Sequence, residues 1–251
     1  AAHKHVHYME KDPAEAVVNN ITGSANLVRA CERGGVERYV FISSDKAADP
    51  TGVMGASKRA TEIYLKKRDL ESACRFITVR FGNVSGSRGS VVPLFMRQIE
   101  SGGPVTVSDR EASRYFMTVR EAASLVIRSS LIGKGGEIFI LDMGEPLNIY
   151  EMARDMIILS GHEPDNEIPL VVTGLREGEK LHEVLHGAGE RLEPSPDPKI
   201  FVAVEESGVT DGIEEHIESL SEAASRGDDA GVLRIFARII PGFDKDRPSS
   251  E

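Results

Sequence analysis

The sequence predicts an α/β fold with a doubly wound parallel sheet, on three observations. Arg38 to Ile42 and Phe76 to Val79 are short runs rich in β-branched and aromatic residues, which favour strands. Between them, the stretch from Met54 to about Arg68 has a helical pattern. Strand, helix and strand at this spacing call for parallel pairing through a crossover helix. The 251 residues, 40% of them hydrophobic, are enough for the core of one large or two small domains.

The elements follow in order. Asp12-Pro13-Ala14-Glu15 starts a helix, with Asp12 as N-cap, Pro13 in the first turn and Glu15 three residues after the cap. Val17, Val18, Ile21, Ala25, Val28 and Cys31 form its apolar face, and Gly34-Gly35 ends it. Ser87 to Ser90 reads as a loop, a helix follows Pro93, and Ser101 to Pro104 is a turn. Thr118 with Glu121, and Asn148 with Glu151, are capping boxes that each open an amphipathic helix. Ile168 to Thr173 is a strand. Glu193 to Lys199, with three prolines, reads as a linker, and two polar helices follow near 212–225 and 228–239.

Composition narrows the function classes. A net charge of -10 without a Lys/Arg block argues against nucleic acid or an anionic membrane as the main partner. Cys31 and Cys74 are too few for a disulfide framework and fit a reducing cytoplasmic interior. No apolar run approaches the roughly 20 residues of a membrane span, and no signal peptide is present. Nor does the chain contain the glycine-rich turn that cradles a dinucleotide pyrophosphate; Gly82, Gly86 and Gly89 have the wrong spacing. With Ala1-Ala2 at the start, this points to a fragment of a longer protein.

The chemistry concentrates in Ser43-Ser44-Asp45-Lys46-Ala47 and Met54-Gly55-Ala56-Ser57-Lys58. These place a hydroxyl, a carboxylate and an amine just past a strand. A second amine lies four residues after Met54, on the same helix face. The segment SSDKAADPTGVMGASKR resembles the active-site signature of nucleotide-sugar 4,6-dehydratases of bacterial polysaccharide biosynthesis, which are extended short-chain dehydrogenases/reductases. Matching blocks follow in order: AAHKHV at Ala1, RFGNVSGSRGSVVPLF at Arg80, SRYFMTVREA at Ser113, GGEIFILDMGEP at Gly135 and TGLREGEKL at Thr173. Together they cover most of residues 1–185; beyond about Gly187 the similarity is loose.

The resemblance implies a partial Rossmann-type sheet with a smaller discontinuous substrate-binding domain. Residues 1–85 would belong to the NAD(P)-binding part and 86–190 mainly to the sugar-nucleotide part, with a linker and helices in 191–251. It also implies NAD or NADP as cofactor, a UDP-sugar substrate (UDP-N-acetylglucosamine), a homo-oligomer, and a parent protein anchored to the membrane through an upstream region, with its catalytic domain in the cytoplasm. By position, Asp45 would be the acid, Lys46 the base, Ser44 the hydrogen-bonding partner of sugar O4 and Lys58 the ribose anchor. Lys46 must be neutral to accept a proton. Met54 stands where most of the fold class has a tyrosine, and a thioether cannot transfer a proton; it matches the long, membrane-associated branch of the dehydratases. The O4 proton then falls to Ser44, a water or Lys58.

Ala1, Ala2, Asn20, Ser43, Phe81, Asn83 and Val84 match cofactor positions, together with Lys58. Lys4, His5, Asn83, Arg88, Ser90, Arg114, Arg176 and Glu179 match substrate positions, the arginines because their fork pairs two phosphate oxygens. Three alternatives stand beside this reading. A 4-epimerase would not need the Asp45-Lys46 pair. His182-Glu183-Val184-Leu185-His186 spells the zinc peptidase motif, which needs a helix and a third ligand, with Glu205 or Glu206 the candidates; the dehydratase block just before it argues for no metal. His3, His5 and His7 likewise read as non-ligands. The last alternative is a sugar-nucleotide-binding fragment that is inactive as it stands.

Overall fold

The computed structural model describes residues 2–87, 89–205 and 212–243. Along the chain lie α1 (Val6–Lys11), α2 (Pro13–Ala16), a π-helical turn (Val17–Thr22), α3 (Gly23–Arg33), β1 (Arg38–Ile42), a 3-10 turn (Asp45–Ala47), α4 (Val53–Glu71), β2 (Arg75–Arg80) and β3 (Asn83–Val84). Next come α5 (Val91–Glu100), β4 (Val105–Val107), β5 (Ser113–Arg114), β6 (Phe116–Met117), α6 (Val119–Ile132), β7 (Ile138–Leu141), β8 (Leu147–Asn148) and α7 (Ile149–Leu159). The last are β9 (Leu170–Val172), β10 (Glu190–Pro194), β11 (Ile200–Glu205), α8 (Ile213–Ser225) and α9 (Asp229–Ile239). The chain divides into two compact units, one of residues 1–81, 125–142 and 184–251, the other of 82–124 and 143–183.

The first unit holds a five-stranded sheet in the order β1-β2-β7-β11-β10. β1, β2 and β7 run parallel, as the strand–helix–strand pattern requires. β11 and β10 extend the sheet antiparallel. The predicted linker is therefore not a linker. Pro194 ends β10, and Asp197 closes the turn into β11 by taking the Lys199 N–H at 3.0 Å. Prolines at a strand end cost no ladder hydrogen bond, so three of them are compatible with a hairpin.

Helix α2 starts as its cap predicts, with Asp12 accepting the Glu15 N–H at 3.0 Å. Val17, Ile21, Ala25 and Val28 then pack into one core with α4, α8 and α9. Val18 is 45% exposed, because it lies one residue off that stripe; the polar Asn20 is buried instead. The two helices read as polar bury Ile213, Ile217, Leu220, Val232 and Phe236 in the same core.

The second unit packs Phe95 and Ile99 of α5 with Val105, Val107, Ile168 and the Ile149, Ala153 and Ile157 face of α7. Its strand pairs are β3 with β6, β4 with β9 and β5 with β8. The Thr118 capping box forms, with Glu121 N–H on Thr118 Oγ1 at 3.2 Å and Thr118 N–H on Glu121 at 2.8 Å, and Asn148 caps α7 by accepting the Glu151 N–H at 2.9 Å. Helix α5 begins at Val91 and includes Pro93 instead of following it, because proline is tolerated in a first turn whose N–H groups have no helical acceptor. Among the described residues no helix is long and apolar enough to cross a membrane.

Candidate active site

In the first unit the site forms where parallel strands β1 and β2 end, the side on which open α/β sheets bind ligands. Ser43 N–H bonds to Val79 O at 2.9 Å and Asp45 N–H to Phe81 O at 3.1 Å, so the chain stays tied to β2 as it leaves the sheet. Ser44 caps the 3-10 turn, its Oγ accepting the Lys46 N–H at 3.3 Å and donating to Asp45 Oδ1 at 2.9 Å. Lys46 Nζ sits 3.1 Å from the same oxygen. Asp45 is 1% exposed, and its Oδ2 has no hydrogen-bond partner among the described residues. Ser44, Asp45 and Lys46 thus form one cluster, as the sequence predicted.

Helix α4 backs this turn at close range. A Cβ on Gly55 would lie 2.1 Å from the Lys46 carbonyl oxygen, so no larger residue fits without moving the turn. The helix is capped from outside by Glu10, whose Oε1 accepts the Val53 N–H at 2.6 Å. Met54 is buried in the core, leaving no phenol at the position where the fold class usually has one. Lys58 donates to the Ile42 carbonyl at 2.9 Å and lies 4.6 Å from the centre of the Phe41 ring. Burial lowers its pKa to about 8, with the nearby Glu62 charge opposing that shift.

The remaining predicted residues are placed as follows. The Asn20 amide accepts the His3 N–H at 2.8 Å and donates to His3 O and to Ser57 Oγ, both at 3.0 Å, so its donors are spent inside the protein. Ser43 turns its hydroxyl inward onto Glu62 at 2.5 Å, leaving its backbone for any ligand contact. Ala2 and Lys4 are exposed. His5 is half-buried and stacks edge-on with His7 and Tyr8. In the second unit Asn83 and Val84 form β3, with Asn83 N–H on Tyr115 O at 2.9 Å. Ser90 Oγ is buried at the N-cap of α5, without a hydrogen-bond partner among the described residues. Arg114 is buried, and its NH1 spans the Ser113 and Leu181 carbonyls at 2.8 and 2.9 Å. Arg176 is exposed, on a turn closed by Glu179, whose carboxylate accepts the Arg176 N–H at 3.0 Å. Ala1, Arg88 and Glu206 lie outside the described residues.

The zinc motif lacks its required geometry. Residues 181–187 contain no helical turn, His182 Nδ1 lies 2.9 Å from Ser113 Oγ, and Glu205 is taken up by Arg59 and Lys66. Sequence reasoning missed Glu62 and Glu190, which flank the buried Arg80, because nothing local marks such partners.

The first unit is thus an α/β fold on a Rossmann-type parallel sheet, with a hydroxyl, a carboxylate and two lysines placed near its strand ends. Comparison with known proteins narrows this further. The profile of the "Polysaccharide biosynthesis protein" family matches residues 1–205. "Probable polysaccharide biosynthesis protein EpsC" of Bacillus subtilis is 49% identical over 202 residues, covering 80% of this chain and 34% of the relative. "UDP-N-acetylglucosamine 4,6-dehydratase (inverting)" of Campylobacter jejuni is 33% identical over 189 residues, 74% of this chain and 54% of that enzyme. The X-ray structure of Pen from Bacillus thuringiensis superposes with a TM-score of 0.74 at 36% identity, covering 85% of this chain and 65% of that one. This chain belongs to the polysaccharide biosynthesis protein family, and it spans from about a third to about half of the length of these two curated relatives.

Proposed function

We propose that this chain carries the reacting groups of an NAD(P)-dependent nucleotide-sugar 4,6-dehydratase, a hydro-lyase that converts UDP-N-acetylglucosamine to its 4-keto-6-deoxy product. The observation that carries this reading is the Lys46–Asp45 contact of 3.1 Å, with Asp45 buried and its second oxygen unpartnered. A nicotinamide cofactor, when bound, takes hydride from sugar C4 and returns it to C6. The residues present suit that group: the Lys58 amine, at a strand end and bonded to one carbonyl, has N–H donors to spare for ribose hydroxyls.

The elimination falls to this chain's own side chains. A 4-ketone acidifies the proton on C5. One proton shift across the Lys46–Asp45 contact turns the ion pair into a neutral amine and a carboxylic acid. Lys46 then takes the C5 proton as the C5–C6 double bond forms. Asp45 gives its proton to the C6 hydroxyl, which leaves as water when the C6–O bond breaks, and protonated Lys46 returns a proton to C5 as C6 regains its hydrogen. Ser44 hydrogen-bonds O4, and Lys58, titrating near 8, receives the O4 proton. In the second unit, Ser90 at the N-terminus of α5 and the Arg176 guanidinium suit a nucleotide diphosphate, since helix N-terminal N–H groups favour anions.

The test is solvent exchange. In the longer protein expected from the sequence, given UDP-N-acetylglucosamine and NAD in deuterated water, Lys46→Ala is expected to lose product and C5 deuterium by about 10²–10⁴-fold. Some reduced cofactor from C4 oxidation should remain. C5 exchange at the parent rate would remove Lys46 as the base, and with it the preference for dehydratase over 4-epimerase.

A further inference from the structure

Behind the candidate site, the first unit buries three carboxylates against three cations. Arg80 is 0% exposed and donates through Nε and NH2 to Glu62 at 2.7 and 2.5 Å. Its NH1 and NH2 also reach Glu190 at 2.7 and 3.0 Å. Arg59 lies 3.2 Å from Glu62 and 3.6 Å from Glu190 and pairs with Glu205, which Lys66 closes at 2.6 Å. Burial alone would lower the Arg80 pKa, but the two carboxylates outweigh it and raise it above the ordinary guanidinium range.

A buried network of this kind carries a desolvation cost and contributes little net stability, so a specific role is a fair hypothesis. Its end at the site indicates the role. Glu62 Oε1 accepts the Ser43 hydroxyl at 2.5 Å, and Lys58, one turn earlier on the same face of α4, donates to the Ile42 carbonyl at 2.9 Å. Two side chains of one helix thus hold the Ile42 carbonyl and the Ser43 hydroxyl, immediately before Ser44.

We propose that Glu62 is a positioning residue for the site: held by Arg80 and Glu190, it fixes Ser43 at the strand end and steadies the Lys58 amine, so that Ser44, Asp45 and Lys46 leave a strand end that does not shift. This rests on the reading of Lys58 and Ser44 to Lys46 as the reacting groups. Around Lys58, β1 contributes the Phe41 ring and the Ile42 carbonyl, and the charged neighbour acting on it is Glu62 of its own helix.

The test reads the protein without requiring turnover. In protein labelled with ¹³C-lysine, the Lys58 Cε resonance is identified by its loss in Lys58→Met and followed through pH. The parent midpoint is expected near 8. Glu62→Gln should lower it by about one unit, the scale of a nearby charge at intermediate dielectric. Ser43→Ala keeps that charge; it should leave the midpoint in place but raise hydrogen exchange of the Asp45 amide several-fold, whereas Glu179→Gln should not. An unchanged midpoint in folded Glu62→Gln, or unchanged Asp45 exchange in Ser43→Ala, overturns the proposal. If Glu62→Gln does not fold, the triple variant Glu62→Gln/Arg80→Met/Glu190→Gln removes the buried charges together and is read by the same criterion. Failure to dehydrate a UDP-sugar while these shifts occur would reject the proposed function and leave the positioning role standing.

Discussion

Residues 43–58 of the first unit and residues 173–183 of the second both carry candidate polar groups, on opposite supports. In the first stretch Ser43, Asp45, Met54 and Lys58 are buried, and backbone hydrogen bonds tie Ser43 and Asp45 to Val79 and Phe81. In the second, Arg176 is exposed and its turn is closed by one local carboxylate, that of Glu179. The contrast follows the chemistry each stretch is proposed to perform. Proton transfer demands reacting atoms fixed to within about half an ångström, which needs packing. A guanidinium that meets a phosphate needs reach and charge, and solvation before binding costs it little.

The largest expected effect tests the packed stretch. Arg80→Met leaves Glu62 and Glu190 buried without their main partner and should destabilise the protein by about 3–5 kcal/mol in denaturant unfolding. A loss under about 1 kcal/mol would mean that the network is not truly buried and would blur the contrast. Gly55→Ala comes next. Its methyl group would press on the Lys46 backbone, at an expected cost of about 1–3 kcal/mol, with displaced Lys46 resonances. Unchanged Lys46 signals would show that the turn is free to retreat.

A pH series sharpens the same point. Burial raises the Glu190 pKa, but the Arg80 hydrogen bond and charge outweigh it and hold it below the ordinary 4.5. The folded state therefore binds fewer protons than the unfolded chain just below 4.5. The stabilisation is present above that value and is lost as pH falls through the folded pKa. Glu190→Gln should flatten the acid limb of the stability curve; an identical slope would deny the coupling. The smallest expected effect lies in the exposed stretch. Arg176→Ala should change stability by no more than about 0.5 kcal/mol, while weakening UDP binding in calorimetry about tenfold. A large loss of stability there would end the distinction between the two supports.

Much of the site could be read in advance because its residues are close in the chain. Ser44, Asp45 and Lys46 are consecutive, and Lys58 lies one helical turn after Met54, so their grouping follows from a strand end and a helix start. Other placements depend on distant residues. Asn20 is buried with its amide bonded to His3 and Ser57, 17 and 37 residues away. His182 to His186 spells a helical metal motif, but Gly187 packs against Asp49 and the segment takes no helical turn.

The sequence by itself determined the helix caps at Asp12, Thr118 and Asn148, the parallel β1–α4–β2 unit and the grouping of Ser44, Asp45 and Lys46. Each is written in neighbouring residues through propensity, periodicity and short-range hydrogen bonds. Tertiary structure decided that a proline-rich tail becomes two strands of the main sheet, that polar-looking helices close the core, and that Glu62, Arg80, Glu190, Arg59 and Glu205 meet behind the site. A charged residue carries no local mark of its partner. Whether it stays in water or is buried against an opposite charge is settled by which distant segments the folded core brings beside it.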